Sequence, residues 1–301
     1  MKLKLGILGL SDGNGHPYSW SAIFNGYEPE AMEKCGFPVI PRYLEQQRWP
    51  EARISSAEVV AVWTQDKALS QKVAKAAKIS KVADHPEDMI GEIDAVMLAR
   101  DDAENHLELA TPFLKAGLPI YIDKPISLSV SELNKMYDLE QYPGQIFTCS
   151  ALRYSHELAL SEEDRTKLGT IRQIVAFTPK SWSKYAVHII EPVLNMLKST
   201  DEPLSFSSGR LNRFTGDTAG SLLVGWRSGV LTCFFATGDG VSPITVRIIG
   251  TQGFKDLCFT DSFSAFKRAL EAFIEGARNR TVISPKSFNQ RVVQLLERGM
   301  Q

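Results

Sequence analysis

A chain of 301 residues is long enough for two domains. Its 44 % apolar and 23 % charged content suits a folded globular protein and excludes a disordered chain or a disulfide-stapled scaffold. The net charge is −1, from 34 basic and 35 acidic side chains, so the basic footprint of a nucleic-acid binder is missing, and no apolar run reaches the roughly 18 residues of a membrane span.

Residues 3–10 form a short apolar run that ends in glycine and lacks a small-residue cleavage site, so it reads as a first strand and not a signal peptide. Residues 59–63, 93–99 and 119–122 are similar runs. Their nearly continuous apolar character fits strands buried on both faces of a parallel sheet. Between them, residues 70–77 carry Val73, Ala74 and Ala77 at helical spacing. Residues 103–116 carry Leu107, Ala110 and Leu114, and Gly117 supplies a stop. Strands alternating with helices predict an α/β doubly wound parallel sheet, a Rossmann domain, over residues 1–124. Residues 28–56 interrupt it with Pro29, Pro38, Pro41 and Pro50 and no clean period. They read as an insertion: a lid, a subunit contact or a plain surface excursion.

Beyond Pro125 the pattern changes. Residues 171–177, 204–213, 221–226, 230–237, 245–249 and 255–259 read as strands, several joined by glycine-rich turns. They predict an open, mainly antiparallel sheet in an α+β domain over residues 125–301. Helices are expected near 188–197, 264–277 and 287–298. In the second, Phe266, Leu270, Phe273, Ile274 and Ala277 make one apolar stripe. Cys35, Cys149, Cys233 and Cys258 are widely spaced, with no C-x-x-C pair, and are expected to be small buried hydrophobes of a cytoplasmic protein.

Strand one runs into Gly9-Leu10-Ser11-Asp12-Gly13-Asn14-Gly15-His16-Pro17. Glycines between a first strand and a helix let backbone N–H groups approach a pyrophosphate, and the helix N-terminus adds positive potential. Gly9, Ser11, Gly13, Asn14, Gly15 and His16 are therefore candidate cofactor contacts. The spacing departs from G-x-G-x-x-G, with Ser11 at the second glycine. Strand two ends at Thr64, Gln65 and Asp66, where a Rossmann site holds the ribose. Asp66 curling back favours NAD; Thr64 and Gln65 facing the ribose leave room for the 2′-phosphate of NADP; Asp66 capping the next helix is the third reading. Strand four ends at Asp123 and Lys124. Pro125 holds Lys124 extended, either toward the cofactor crevice or at the surface of a domain junction.

Residues 116–127, AGLPIYIDKPIS, resemble the AGxHVxxEKPxA signature of the Gfo/Idh/MocA family, named for glucose–fructose oxidoreductase and inositol dehydrogenase. The glycine loop, Arg100-Asp101-Asp102 with His106, the Lys-Pro turn, Arg153-Tyr154 and a later histidine follow in the family's order. The resemblance implies a Rossmann domain, then a domain for substrate binding and oligomerisation. It implies NAD or NADP as cofactor, a sugar, cyclitol or nucleotide-sugar alcohol as substrate, and a homo-oligomer, dimer or tetramer. Arg100, Asp101, His106, Asp123, Lys124 and Arg153 then join the cofactor candidates, and Lys124 lies near the nicotinamide and the reacting hydroxyl.

The family's second motif is an aspartate, a histidine four residues later and often an acid three beyond. Here the positions are Lys184, His188 and Glu191. His188 matches the proton acceptor. Lys184 replaces an orienting carboxylate with a cation, whose like charge opposes a protonated imidazole. It either modulates His188 or binds an anionic group of the substrate. Pro192 suggests that the helix begins near Glu191. Trp182 is a candidate to stack on a sugar or nicotinamide ring. His188 and Glu191 alone do not make a metal site, and none is expected. The expected activity is hydride transfer at a carbinol carbon, with Lys124, His188 and Lys184 catalytic and Trp182 added on the substrate side. A cofactor-binding sensor without turnover is the alternative, and a hydrolase or lyase using the nicotinamide transiently is a third.

Overall fold

The computed structural model describes residues 2–210 and 219–301. Six strands, β1 (Leu3–Leu8), β2 (Ala57–Trp63), β3 (Lys81–Val82), β4 (Ala95–Leu98), β5 (Ile120–Ile122) and β6 (Ile146–Thr148), form a parallel sheet in the order β3-β2-β1-β4-β5-β6. Strand order reverses between β1 and β4, which opens a crevice at their carboxyl ends. Leu5, Ile7, Leu8, Val96, Leu98, Ile120 and Ile122 are fully buried, as their continuous apolar runs require. Helices α1 (His16–Asn25), α2 (Pro29–Met32), α3 (Val39–Glu45), α4 (Lys67–Ala76), α5 (His106–Lys115) and α6 (Val130–Tyr137) accompany the sheet.

The proline-rich stretch 28–56 is partly helical. Pro29 opens α2, and Pro38 stands immediately before α3, where a missing N–H costs nothing. Phe37 and Ile40 close on Gly15, where a Cβ would lie 2.8 Å and 2.5 Å from them. The insertion therefore braces the glycine loop.

The second sheet contains β7 (Ile171–Thr178), β8 (Pro203–Arg210), β9 (Gly220–Trp226), β10 (Leu231–Ala236), β11 (Thr245–Gly250) and β12 (Phe254–Cys258), ordered β12-β11-β7-β10-β9-β8. All neighbours are antiparallel except β7 and β10. The expected strand over 204–213 is β8, and residues 211–213 lie outside the described residues. The remaining helices are α7 (Glu162–Leu168), α8 (Trp182–Tyr185), α9 (Val187–Met196), α10 (Ser262–Asn279) and α11 (Lys286–Gly299). Ile174, Ala176, Leu222, Val224, Phe234 and Ile248 of the sheet share one core with Ile190 and Val193 of α9 and Leu295 and Leu296 of α11.

The chain divides into two compact units, and the division differs from the one expected at Lys124. The first unit takes Met1–Ser127, Ser131–Cys149 and Phe266–Ser287; the second takes Leu128–Val130, Ser150–Ala265 and Phe288–Gln301. Packing, and not chain order, decides this. β6 extends the first sheet by pairing with β5, and Phe273 of α10 lies 5.6 Å from Tyr121 and 5.7 Å from Phe147, ring to ring. Cys35 and Cys149 are buried as expected, but Cys233 is half-buried and Cys258 exposed, because β10 and β12 turn them away from the core.

Candidate active site

In the first unit, residues 9–15 link the carboxyl end of β1 to α1. Gly13 turns this loop with φ +76°, a conformation that side chains disfavour. The polar side chains of the loop turn inward. Ser11 Oγ donates to Asp101 Oδ1 at 2.8 Å and accepts from the Asp101 N–H at 3.0 Å. The other Asp101 oxygen lies 3.7 Å from Lys124 Nζ. Asn14 Nδ2 donates to Asp123 Oδ2 at 2.8 Å, and His16 Nδ1 lies 2.5 Å from the same oxygen. Asp123 Oδ1 accepts from the Lys124 N–H at 2.7 Å. Ser11, Asn14, Asp101, Asp123 and Lys124 are all buried. Burial alone pushes the Asp123 carboxyl up, but the charges of His16 and Lys124 and the bonds from His16 and Asn14 hold it below its ordinary value. The His16 ring stacks on Trp20 at 4.8 Å, and Trp20 stacks on Tyr121 at 4.6 Å. One network thus ties the glycine loop to Lys124 through two compensated carboxylates.

The end of β2 resolves the three readings of Thr64–Asp66. Asp66 caps α4, accepting from the N–H groups of Ala68 and Leu69, so it does not curl back toward a ribose. Thr64 is buried and its Oγ1 donates to the Asp66 carbonyl at 2.7 Å, which removes it as a ribose contact. Gln65 is exposed. It accepts from the Leu10 N–H at 3.1 Å, donates to the Leu10 carbonyl at 2.7 Å and accepts from Arg100 Nη1 at 3.1 Å. Arg100 also pairs with Asp102, 2.9 Å from Nε to Oδ1. His106 is corrected as well. It is fully buried between the carbonyls of Arg100 (2.8 Å) and Ile126 (3.1 Å), a strut and not a cofactor contact.

In the second unit, α8 and α9 are separated only by Ala186, itself helical at φ −59° and ψ −28°. The Ala186 carbonyl accepts from the N–H groups of Ile189 and Ile190, so the helix is established ahead of Pro192 and begins at Val187, not near Glu191. Lys184 and His188, four residues apart, therefore share a face, and both are half-buried. His188 Nδ1 lies 2.7 Å from Ser150 Oγ, and the Tyr185 ring meets the imidazole edge-on at 5.2 Å. Glu191 Oε1 accepts from the Ser150 N–H at 2.8 Å. Burial pushes the Glu191 carboxyl up to about 7, against the downward pull of Arg153 and of that N–H. The Arg153 guanidinium lies 3.9 Å over the Phe288 ring.

Two corrections concern this unit. Trp182 is 2 % exposed and its Nε1 donates to the Leu296 carbonyl at 2.9 Å, so it belongs to the core and cannot stack on a substrate. Ser150, bonded to His188, is a residue that the sequence does not mark. Its only signal is its place just after β6, three residues before Arg153. Among the described residues no group of three or more His, Cys, Asp or Glu could hold a metal, and no helix is long and apolar enough to cross a membrane.

Residues 39–150 match the family model GFO_IDH_MocA, an oxidoreductase family with an NAD-binding Rossmann fold. No curated protein matches the chain by sequence. Solved structures share the fold over nearly their whole length. One is scyllo-inositol dehydrogenase from Lactobacillus casei with bound NAD(H) and scyllo-inositol: 15 % identity, 98 % of this chain and 95 % of that one covered, TM-score 0.70. Another is UDP-N-acetylglucosamine 3-dehydrogenase from Acidithiobacillus ferrooxidans, at 13 % identity, 100 % and 97 % coverage and TM-score 0.73. A third is a putative myo-inositol dehydrogenase from Sinorhizobium meliloti, at 14 %, 98 % and 95 %, and 0.73.

Proposed function

We propose that the chain, whose residues 39–150 match the Gfo/Idh/MocA family model, is an NAD(P)-dependent dehydrogenase or reductase of a sugar, cyclitol or nucleotide-sugar alcohol. The observation that carries the reading is Lys124. It ends the loop after β5 at the carboxyl edge of the parallel sheet, buried, 3.7 Å from an Asp101 carboxylate that is itself bonded to Ser11 of the glycine loop. A structural surface lysine has no need of such a cradle. The substrate class is supported by the fold neighbours, whose names specify scyllo-inositol and UDP-N-acetylglucosamine, both ring alcohols.

The residues present fit a dinucleotide. The loop keeps the turn at Gly13 and opens directly into α1, and the nearby Asp101 and Asp123 are each compensated by hydrogen bonds and a cation. The backbone of residues 9–15 would hold the pyrophosphate, while Gln65 and Arg100 flank it at the end of β2 and after β4. When bound, the nicotinamide exchanges a hydride with the carbinol carbon. Lys124 offers its ammonium to the substrate oxygen, where negative charge develops. His188 takes the hydroxyl proton in oxidation and returns it in reduction. Lys184, one turn before His188, fixes an anionic or hydroxyl group of the substrate. Arg153 acts at one remove, through Glu191. Phe177, Leu223 and Phe254 leave the outer side of the second sheet apolar, which supports a homo-oligomer, and a cytoplasmic location is part of the same proposal.

Calorimetric titration with NAD⁺, NADH, NADP⁺ and NADPH, followed by a polyol and nucleotide-sugar screen by absorbance, tests the reading. Micromolar binding of one pair and turnover of a ring alcohol are expected. Lys124→Ala should keep cofactor binding and lose about 10²–10³ in kcat. Absence of binding by all four nucleotides would overturn the proposal.

A further inference from the structure

The tip of β2 and the segment after β4 meet in one set of hydrogen bonds, and the balance of donors and acceptors there separates the two forms of the cofactor. Gln65 Oε1 accepts from the Leu10 N–H and from Arg100 Nη1, each at 3.1 Å, which fills both lone pairs of an amide oxygen. Gln65 Nε2 gives one hydrogen to the Leu10 carbonyl at 2.7 Å and has a second to offer. Thr64 is buried; its Oγ1 donates to the Asp66 carbonyl at 2.7 Å and lies 2.9 Å from Ser70 Oγ. Asp66 turns Oδ1 onto the N–H groups of Ala68 and Leu69, at 2.7 Å and 3.3 Å, in the first turn of α4. Arg100 is the cation of the set. Its Nε donates to Asp102 Oδ1 at 2.9 Å and its Nη2 to Asp102 Oδ2 at 2.5 Å, a two-pronged pair that fixes the guanidinium plane. Asn105 Nδ2 donates to the same Oδ2 at 2.6 Å. Burial pushes the Asp102 carboxyl up, but Arg100 and Asn105 hold it below its ordinary value, so the pair stays ionised.

A guanidinium has five N–H groups. Among the described residues, Asp102 and Gln65 engage three of them, and two remain. The tip of β2 therefore presents donors: two N–H groups of a fixed guanidinium and one of Gln65. A Rossmann site for NAD places a carboxylate here to accept from the ribose hydroxyls, whereas a site for NADP places an arginine nearby for the 2′-phosphate. A phosphate monoester brings acceptor oxygens and matches donors; a ribose hydroxyl needs an acceptor in return. Resting on the dehydrogenase reading above, we propose that Arg100, assisted by Gln65, is the reader of the 2′-phosphate, and that the chain selects NADP(H) over NAD(H). Asp102 is then a positioning residue, which holds the guanidinium edge-on and leaves its outer N–H groups to the ligand. Lys67 opens α4 beside Asp66 and pairs with Asp84 at 2.6 Å with both side chains about two-thirds exposed. Such a pair is worth little, so Lys67 can turn to a phosphate at small cost.

The test is calorimetry on the full-length protein at fixed salt with NADPH, NADH and two adenosine fragments, 2′,5′-ADP and 5′-AMP. The fragments lack the nicotinamide and report on the adenosine end alone. NADPH is expected to bind about tenfold or more tighter than NADH, and 2′,5′-ADP tighter than 5′-AMP by a similar factor. Arg100→Ala should remove this advantage, weakening NADPH and 2′,5′-ADP about tenfold while NADH stays within about twofold. Gln65→Glu places a carboxylate at the tip of β2 and should reverse the preference toward NADH. Asp66→Asn keeps the helix cap and should leave NADH affinity unchanged. An unfolding midpoint for each variant separates lost binding from a lost fold, and Gln65→Glu carries the test if Arg100→Ala does not fold. Binding of NADH as tight as that of NADPH, equal losses of both in Arg100→Ala, or a loss of NADH in Asp66→Asn would overturn the proposal and leave the dehydrogenase reading standing. Absence of binding by both dinucleotides would overturn that reading itself, and the proposal with it.

Discussion

Gln65 reaches across 55 residues of sequence to hold both polar groups of Leu10, accepting from its N–H at 3.1 Å and donating to its carbonyl at 2.7 Å. The glycine loop is thereby clamped to the tip of β2, at the position where Rossmann domains place a ribose-binding side chain. Gln65 is exposed, so little core energy depends on it. Gln65→Ala should weaken dinucleotide binding about tenfold, the worth of roughly one to two hydrogen bonds, and leave the urea midpoint almost unchanged. Calorimetry beside an unfolding curve checks both halves; unchanged affinity would remove Gln65 from the cofactor side.

The His16–Asp123 contact makes an acid-stability prediction. The folded Asp123 carboxyl sits below its ordinary value despite burial, because His16, Lys124 and Asn14 stabilise the ionised form. Its contribution is therefore present above the unfolded carboxyl value of about 3.9 and is lost as pH falls through the lower folded value. Asp123→Asn should cost about 1–3 kcal/mol at pH 7 and flatten the acid limb of the stability curve. Denaturation from pH 7 down to pH 2 reads this, and superimposable acid limbs would refute it.

The parts of this molecule that were legible in the sequence are those written in local periodicity. The apolar runs of β1, β2, β4 and β5, the stripe of α10 and the Lys124–Pro125 turn each depend on neighbours within a few residues. The rest depends on distant packing. Nothing local says that Phe273 will pack on Tyr121 and carry α10 into the first unit. The start of α9 is not legible locally: Pro192 suggests a first turn, whereas the Ala186 carbonyl begins the helix earlier. Ser150 carries no local signal, because a serine just after a strand is ordinary and its histidine partner lies 38 residues away.

Trp182 should behave as a core residue. Its ring covers Gly299 so closely that a Cβ there would lie 2.0 Å from Cζ2. Gly299→Ala should cost about 1–3 kcal/mol by overpacking, and Trp182→Ala about 3–5 kcal/mol by leaving a cavity. The double variant should cost less than the sum, since the added methyl partly fills the space. Dinucleotide affinity should be unaffected in Gly299→Ala. A substrate-stacking tryptophan would instead change KM and leave the unfolding midpoint in place.

Glu191 carries the opposite pH signature to Asp123. Burial lifts its carboxyl to about 7, and Arg153 and the Ser150 N–H only partly oppose this. The folded state therefore binds a proton that the unfolded chain releases near its ordinary value of 4.5. Stability tied to this group is complete below that value and is lost as pH rises through about 7. From the ordinary value of 4.5 to about 7, the loss is at most about 3 kcal/mol. Glu191→Gln keeps an oxygen for the Ser150 N–H but cannot ionise. It should match the wild type at pH 5, exceed it at pH 8 and show no slope between, read by urea denaturation at each pH. Parallel curves for the two proteins would mean that Glu191 is ionised in the folded state and that the Arg153 cation outweighs burial.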